Sequence, residues 1–238
     1  MARIRRKLFH TYANLDLPIQ WQDPVVEAWA KRHSLSTRRD CLAVTSINDG
    51  YFKDSTKLKT FPELRLFSNI TEFTEPQNSG NRGQFDCCTA LESIDLSNIT
   101  AITGWRFFRN CTSLKSIYLP ECLDVDHQAF EGCTSLKTVI MPKVKNIGYR
   151  PFGSCTALER LDLPASVTNI WNNAFGGCTA LKVITIAATT PPALDTTALS
   201  GQSAEFYVPD DAVETYKAAS GWSAYASRIH PMSECPSE

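Results

Sequence analysis

Ala129-Phe130-Glu-Gly-Cys133-Thr-Ser-Leu136-Lys-Thr-Val139-Ile-Met141-Pro142 is one of five stretches of this chain that superimpose without a gap. The others start at Phe85, Phe108, Phe152 and Phe175. Each continues through a cysteine (Cys88, Cys111, Cys155, Cys178) and a leucine (Leu91, Leu114, Leu158, Leu181). An alternating apolar pair closes each unit: Ile94/Leu96, Ile117/Leu119, Leu161/Leu163 and Ile184/Ile186. Successive cysteines of the series lie 23, 22, 22 and 23 residues apart. A degenerate copy precedes them, with Phe52, Ser55 and Leu58, then Leu64, Phe67, Ile70 and Phe73. A fixed period of this length is the signature of stacked repeats, and more than three copies suffice for a stable stack. Zinc sites need cysteine pairs two to four residues apart, and disulfide frameworks keep no such regular spacing.

Each unit has one physical reading. Apolar residues alternating with polar ones predict a half-buried strand. A second apolar pair follows, as in Ile99/Ile102, Val144/Ile147 and Val167/Ile170, and a step such as Ala129-Phe130 or Ala174-Phe175 turns the chain back. One unit cannot bury these residues alone. Stacked units place Phe on Phe, Cys on Cys and Leu on Leu. The cysteine column is then core packing, because a free thiol behaves as a small hydrophobe. Cys41, Cys87, Cys122 and Cys235 lie off the column and leave one disulfide among them open.

The unit resembles the BspA-type leucine-rich repeat family, whose pattern reads approximately A-F-x-x-C-x-x-L-x-x-I-x-L-P-x-x-V-x-x-I. The resemblance covers residues 51–190. It extends to Tyr207-Val-Pro-Asp-Asp-Ala-Val-Glu-Thr-Tyr216 through Trp222 and Ile229, similar to the ending of such proteins in gut bacteria. It implies an α+β repeat solenoid, a leucine-rich-repeat-like right-handed stack of short strands with helical caps at both ends. It also implies adhesion at a cell surface. Relatives often begin with an acidic, calcium-loop-like segment. The matching stretch here, residues 30–40, offers one carboxylate, Asp40, so neither a metal nor another cofactor is expected.

The chain divides into a basic arm (1–20), an N-terminal helical cap (21–50), the solenoid (51–190) and a C-terminal cap (191–238). In the first cap, Asp23 and Pro24 start a helix with Val25, Val26 and Trp29 on one face. In the second, a strand over Glu205–Val208 leads into a helix capped by Asp210 or Asp211 and stopped near Gly221. Val213, Tyr216, Trp222, Tyr225 and Ile229 are to cover the last coil. Residues 75–83 read as a loop.

Composition narrows the function. With 43% hydrophobic and 21% charged residues the chain packs as a globular protein, and a net charge of -1 argues against a nucleic-acid partner. No apolar run is long enough for membrane insertion. Arg3, Arg5, Arg6 and Lys7 imitate the start of a signal peptide, but no apolar segment follows, so none is expected. The four histidines show no ligand spacing, and phosphate loops and nucleophile elbows are absent. Asp124 and Asp126 beside His127 form the nearest approach to an acid–base cluster. An enzyme is not expected.

Binding is. The outward positions of the first strand bring Tyr118 beside Ile140, with Arg160 next and Asp162 in the same strand, a composition favoured at interfaces. The turn before each Phe carries Trp105, Tyr149 and Trp171, which could stack on sugars or on a protein, or pack on neighbouring coils. Two functions follow: a recognition or adhesion module for protein or glycan, or a virion component (tail or head decoration) that assembles with other virion proteins through the basic arm.

Overall fold

The computed structural model describes residues 15–47, 49–73, 82–201 and 203–237. Residues 1–14, most of the expected arm, and 74–81, most of the expected loop, lie outside them.

Each unit makes one coil with two short strands. The second strands form a six-stranded parallel sheet, in which Glu72, Ala101, Asp124, Asn146, Asn169 and Ala193 stand in register. The first strands form the opposite side in three parallel sets. Thr60–Phe61 pairs Ser93–Ile94, and Ser116–Tyr118 pairs Thr138–Ile140. Arg160–Leu163, Val183–Ile186, Glu205–Val208 and Ile229–Pro231 form a four-stranded set. Parallel neighbours one coil apart are the outcome the repeat period requires, because equivalent residues meet.

The interior is a set of ladders. The rings of Phe85, Phe108, Phe130, Phe152 and Phe175 stack face to face, 5.1–5.9 Å between centroids and 3–6° from parallel. Phe52 of the degenerate copy continues the row at 5.4 Å and 17°. The five column cysteines have no exposed surface. Each Sγ–H donates to the carbonyl of the Phe one coil back: Cys88 to Phe52, Cys111 to Phe85, Cys133 to Phe108, Cys155 to Phe130 and Cys178 to Phe152, at 2.9–3.3 Å. The same carbonyls accept the backbone N–H three residues on, such as Cys133 N to Phe130 O at 3.2 Å. The column is therefore a donor ladder as well as packing. Ser55 takes the cysteine position in the first coil, where no earlier Phe carbonyl awaits a donor; its Oγ accepts from Leu58 N instead. All nine thiols are free, and off-column Cys122 is a buried core residue at the position of Ile99, Val144 and Val167.

Both ends are lidded. Helix α1 (Pro24–Arg32) is capped by Asp23, whose Oδ1 accepts from Val25 N while Oδ2 accepts from Lys59 N and Thr60 N, latching the lid to the first strand. Val26 and Trp29 are buried, and Val25 is partly so. Helix α2 (Arg38–Ala43), which the sequence reading did not anticipate, starts with a capping box of Thr37 and Asp40. Hydrogen bonds from the Ser36 and Thr37 amides draw the Asp40 carboxyl down to about 2, so the lone carboxylate of the calcium-like stretch serves the helix.

At the other end Glu205–Val208 is a strand as expected, followed by helix α3 (Val213–Ala218). Two details differ. Neither Asp210 nor Asp211 caps it; Asp210 instead accepts from the Ser233 amide, because a 3-10 turn over Asp210–Ala212 carries both carboxylates outside the cap position. The helix stops at Ala218, before Gly221. Gly221 sits at φ +82°, against Leu194 O, where any Cβ would clash. Tyr216, Trp222 and Ile229 are buried as expected, with Val213 and Tyr225 packed at their edge. Tyr216 Oη and Trp222 Nε1 donate to Ala188 O and Pro192 O at 2.8 Å, fixing the lid to the last coil.

Three outcomes follow. Phe130→Ala should lower stability by about 3–5 kcal/mol in denaturant melts, since it empties one rung between two others. Burial raises the thiols of Cys88, Cys133, Cys155 and Cys178, the last to about 11, and that of Cys122 to about 12. An unfolded thiol ionises near ~8.5. These groups thus contribute fully below that pH, and their contribution drains as pH rises through the folded values. Melts at stepped pH should show stability falling above about pH 9, by up to ~1.4 kcal/mol per unit per thiol. The column should resist alkylation until denaturant is added.

Candidate recognition surfaces

The outer side of the first strands bears two columns of side chains. In one, Tyr118 is paired in register with Ile140, and both stand in the open, at 55% and 46% exposure. Asp162, Thr185, Tyr207 and His230 occupy the same place in later coils. Thr185 and Tyr207 face outward too, yet keep only 7% and 9% of their surface. The chain's own C-terminal tail is held on this side, beside Tyr207, and Asp162 takes the Thr185 hydroxyl.

Arg160 explains how. It belongs to the neighbouring column, at the place of Ser116 and Thr138 and in register with Val183, so it is not the next residue after Ile140 as the sequence reading has it. Its Nε donates to Asp162 Oδ1 at 3.1 Å, and its Nη1 to Pro236 O at 3.2 Å, with Cys235 Sγ at 3.7 Å. A guanidinium on a polar sheet face is drawn to the nearest carboxylate and to carbonyls lacking a donor. Asp162 also accepts from Thr185 Oγ1 at 2.6 Å. The face is thus divided: open over Tyr118 and Ile140, and bordered by the tail at Arg160 and Tyr207. A shallow depression beside Ile140 is floored by Met141, Pro142, Leu163 and Pro164.

The second surface follows the six-stranded sheet. Trp105 and Tyr149 hold equivalent positions, with His127 between them; the Trp105 indole stacks on the His127 ring at 4.7 Å and 11°. Trp105 is therefore half-buried packing between coils, whereas Tyr149 remains 40% exposed. Trp171 stands one position earlier than the other two. Its N–H donates to Ile147 O, as Gly148 N does to Val125 O, so its ladder neighbour is Gly148. The indole is 56% exposed.

The acidic pair beside His127 has structural partners. Asp126 Oδ1 accepts the amides of His127 and Tyr149, and the carboxylate lies where a Cβ of residue 148 would be, 1.8 Å from Oδ1, so only glycine fits there. Asp124 accepts from Asn146 Nδ2, and Asn169 Nδ2 donates to Asn146 Oδ1 at 2.6 Å. Among the described residues no group of three His, Cys, Asp or Glu side chains converges as a metal site. His127 was legible by alignment with Trp105 and Tyr149. The tail gave no such signal, because Cys235-Pro-Ser-Glu carries no period.

A family model described as the BspA type leucine-rich repeat region matches six copies, over residues 42–125 and 107–200. No curated protein matches the sequence. Among solved structures the chain is similar to a leucine-rich repeat protein of T. pallidum, at 24% identity and TM-score 0.42, over 58% of this chain and 67% of that one. A leucine-rich cell surface protein of Faecalibacterium prausnitzii aligns at 24% and 0.42, over 62% and 51%. A leucine-rich repeat protein of Bacteroides ovatus aligns at 19% and 0.34, over 69% and 59%. The chain thus spans about half to two thirds of the length of these proteins.

If Arg160 anchors the tail, Arg160→Ala should speed alkylation of Cys235 in the native protein severalfold, while the melting transition shifts by no more than about 1 kcal/mol. Unchanged Cys235 reactivity would mean that the tail is held elsewhere.

Proposed function

The chain belongs to the BspA-type leucine-rich repeat family, and from that premise we propose that it is a non-enzymatic recognition module that binds a protein partner through the open half of its first-strand face. The observation that carries this reading is the side-by-side exposure of Tyr118 and Ile140 on rigid, in-register strands. An aromatic and a β-branched side chain, which have few rotamers to lose, on a backbone fixed by the sheet make an interface anchor at small entropic cost. The neighbouring stretch of the same face already holds a polypeptide, the tail, through Arg160.

Solenoids bind along extended faces built from equivalent positions, and the interior here is filled by the Phe, Cys, Leu and Ile columns. Family membership supports a cell-surface setting and an adhesive role. No helix among the described residues is long and apolar enough to cross a membrane.

The test is a photo-crosslinker at position 140 of the full chain, followed by identification of captured surface proteins. Tyr118→Ser combined with Ile140→Ser should abolish binding of the captured protein while moving stability by no more than about 0.5 kcal/mol per site. Retained affinity in the double variant would remove this face from the function.

A further inference from the structure

The outer face of the six-stranded sheet departs from a merely solvated surface at one place. Trp171 is the most exposed of the large apolar side chains named on the coils, and among the described residues no ring, cation or hydrogen-bond acceptor engages its indole. Its counterpart Trp105 is spent on His127. A half-exposed indole lining a depression with Asn169 and Asp195 sets an apolar face beside hydrogen-bonding groups, the combination found at ligand sites.

The surroundings define what that ligand is. Strand alternation turns Asn169 and Trp171 to the same side, and Asn146 and Gly148 do the same one coil back. Gly148, whose outward place the Asp126 carboxylate fills, lies on one side of the indole and Asp195 on the other. Asn169, Trp171 and Asp195 line one depression together with Ile170, Ala193 and Leu194. The row Asp124–Asn146–Asn169 runs beside it as a chain of carboxylate and carboxamide groups. Asn169 Nδ2 is given to Asn146, which leaves its Oδ1 to accept, and Asp195 uses Oδ1 for the Thr197 amide and hydroxyl. Tyr149 stands at the edge, exposed, on the preceding coil.

We infer that Trp171 and this polar apron form a binding site for a neutral carbohydrate. The apolar face of a pyranose ring covers an isolated indole, and its ring of hydroxyls, each both donor and acceptor, can satisfy closely spaced carboxamide and carboxylate oxygens one by one. A protein surface would have to desolvate the same groups without that density of matching partners. The two outward columns hold Glu72, Asp124, Asp126 and Asp195 and no lysine or arginine, which tells against phosphate, sulfate or uronate ligands. The site lies on the other sheet from the Tyr118–Ile140 face and stands or falls independently of it.

The test titrates neutral hexasaccharides of glucose, mannose, galactose and N-acetylglucosamine into the full chain and follows tryptophan fluorescence together with saturation transfer to sugar protons. At least one sugar should give a saturable response. Trp171→Ala should weaken it by about tenfold or more, and Asn169→Ala severalfold. Trp171→Phe should restore part of the saturation transfer, and Tyr118→Ser should leave the affinity unchanged. Unaltered melting of Trp171→Ala separates loss of the site from loss of fold. No saturable response from any of the four sugars, or a response that survives Trp171→Ala, overturns the inference; protein capture sensitive to Trp171 alone would assign the face to a protein instead.

Discussion

The structure depends on what becomes of one carbonyl per coil. At each Phe corner the chain reverses, and the Phe carbonyl is turned into the dry space between coils. It takes one hydrogen bond from its own turn and has a second lone pair to satisfy, where no water reaches and a buried acceptor left bare is costly. The cysteine of the next coil supplies the donor. Valine would fill the space without a donor, and serine would add polarity where the surroundings are apolar. Cysteine combines small apolar bulk with an S–H, which is why the period of the chain is written in cysteines.

This bond also sets the register. A thiol that reaches the previous carbonyl brings its own Phe ring over the previous ring, and the parallel strand pairs on both sides follow. The ladders are one constraint seen from three sides, and none is independent of the turn that starts it. Buried charge is fitted to the same turns: Asp86, fully buried, is clasped by Arg82 and Arg109, each within 3.1 Å.

Much of this was legible in the residues. Phe130, Cys133 and Leu136 announce both the stack and their own burial, because a repeat reports each position several times over. The lids were legible where capping chemistry is local, as at Asp23, and less so at Asp210, where a single turn of 3-10 geometry moves the carboxylate out of reach. The surfaces were legible position by position but not as arrangements. Sequence spacing marks Tyr118, Ile140 and Trp171 as outward-facing, yet whether Arg160 joins them depends on where a tail without periodicity comes to rest. The difference between Trp105 and Trp171 turns on one residue of offset, which decides between a stacked ring and a bare one.

The manner in which the lids are attached has a mechanical meaning. The C-terminal lid continues one strand ladder of the coils, Glu205–Val208 on Val183–Ile186, and adds side-chain bonds from Tyr216 and Trp222, while coils meet one another through backbone ladders on two sides and a ring stack between. In a molecule tethered at one end and pulled at the other, load enters at the lids, and the coils peel in sequence because each is held only by its neighbours. The solenoid is then a ratcheted spring of near-identical links, one that lengthens in steps under tension.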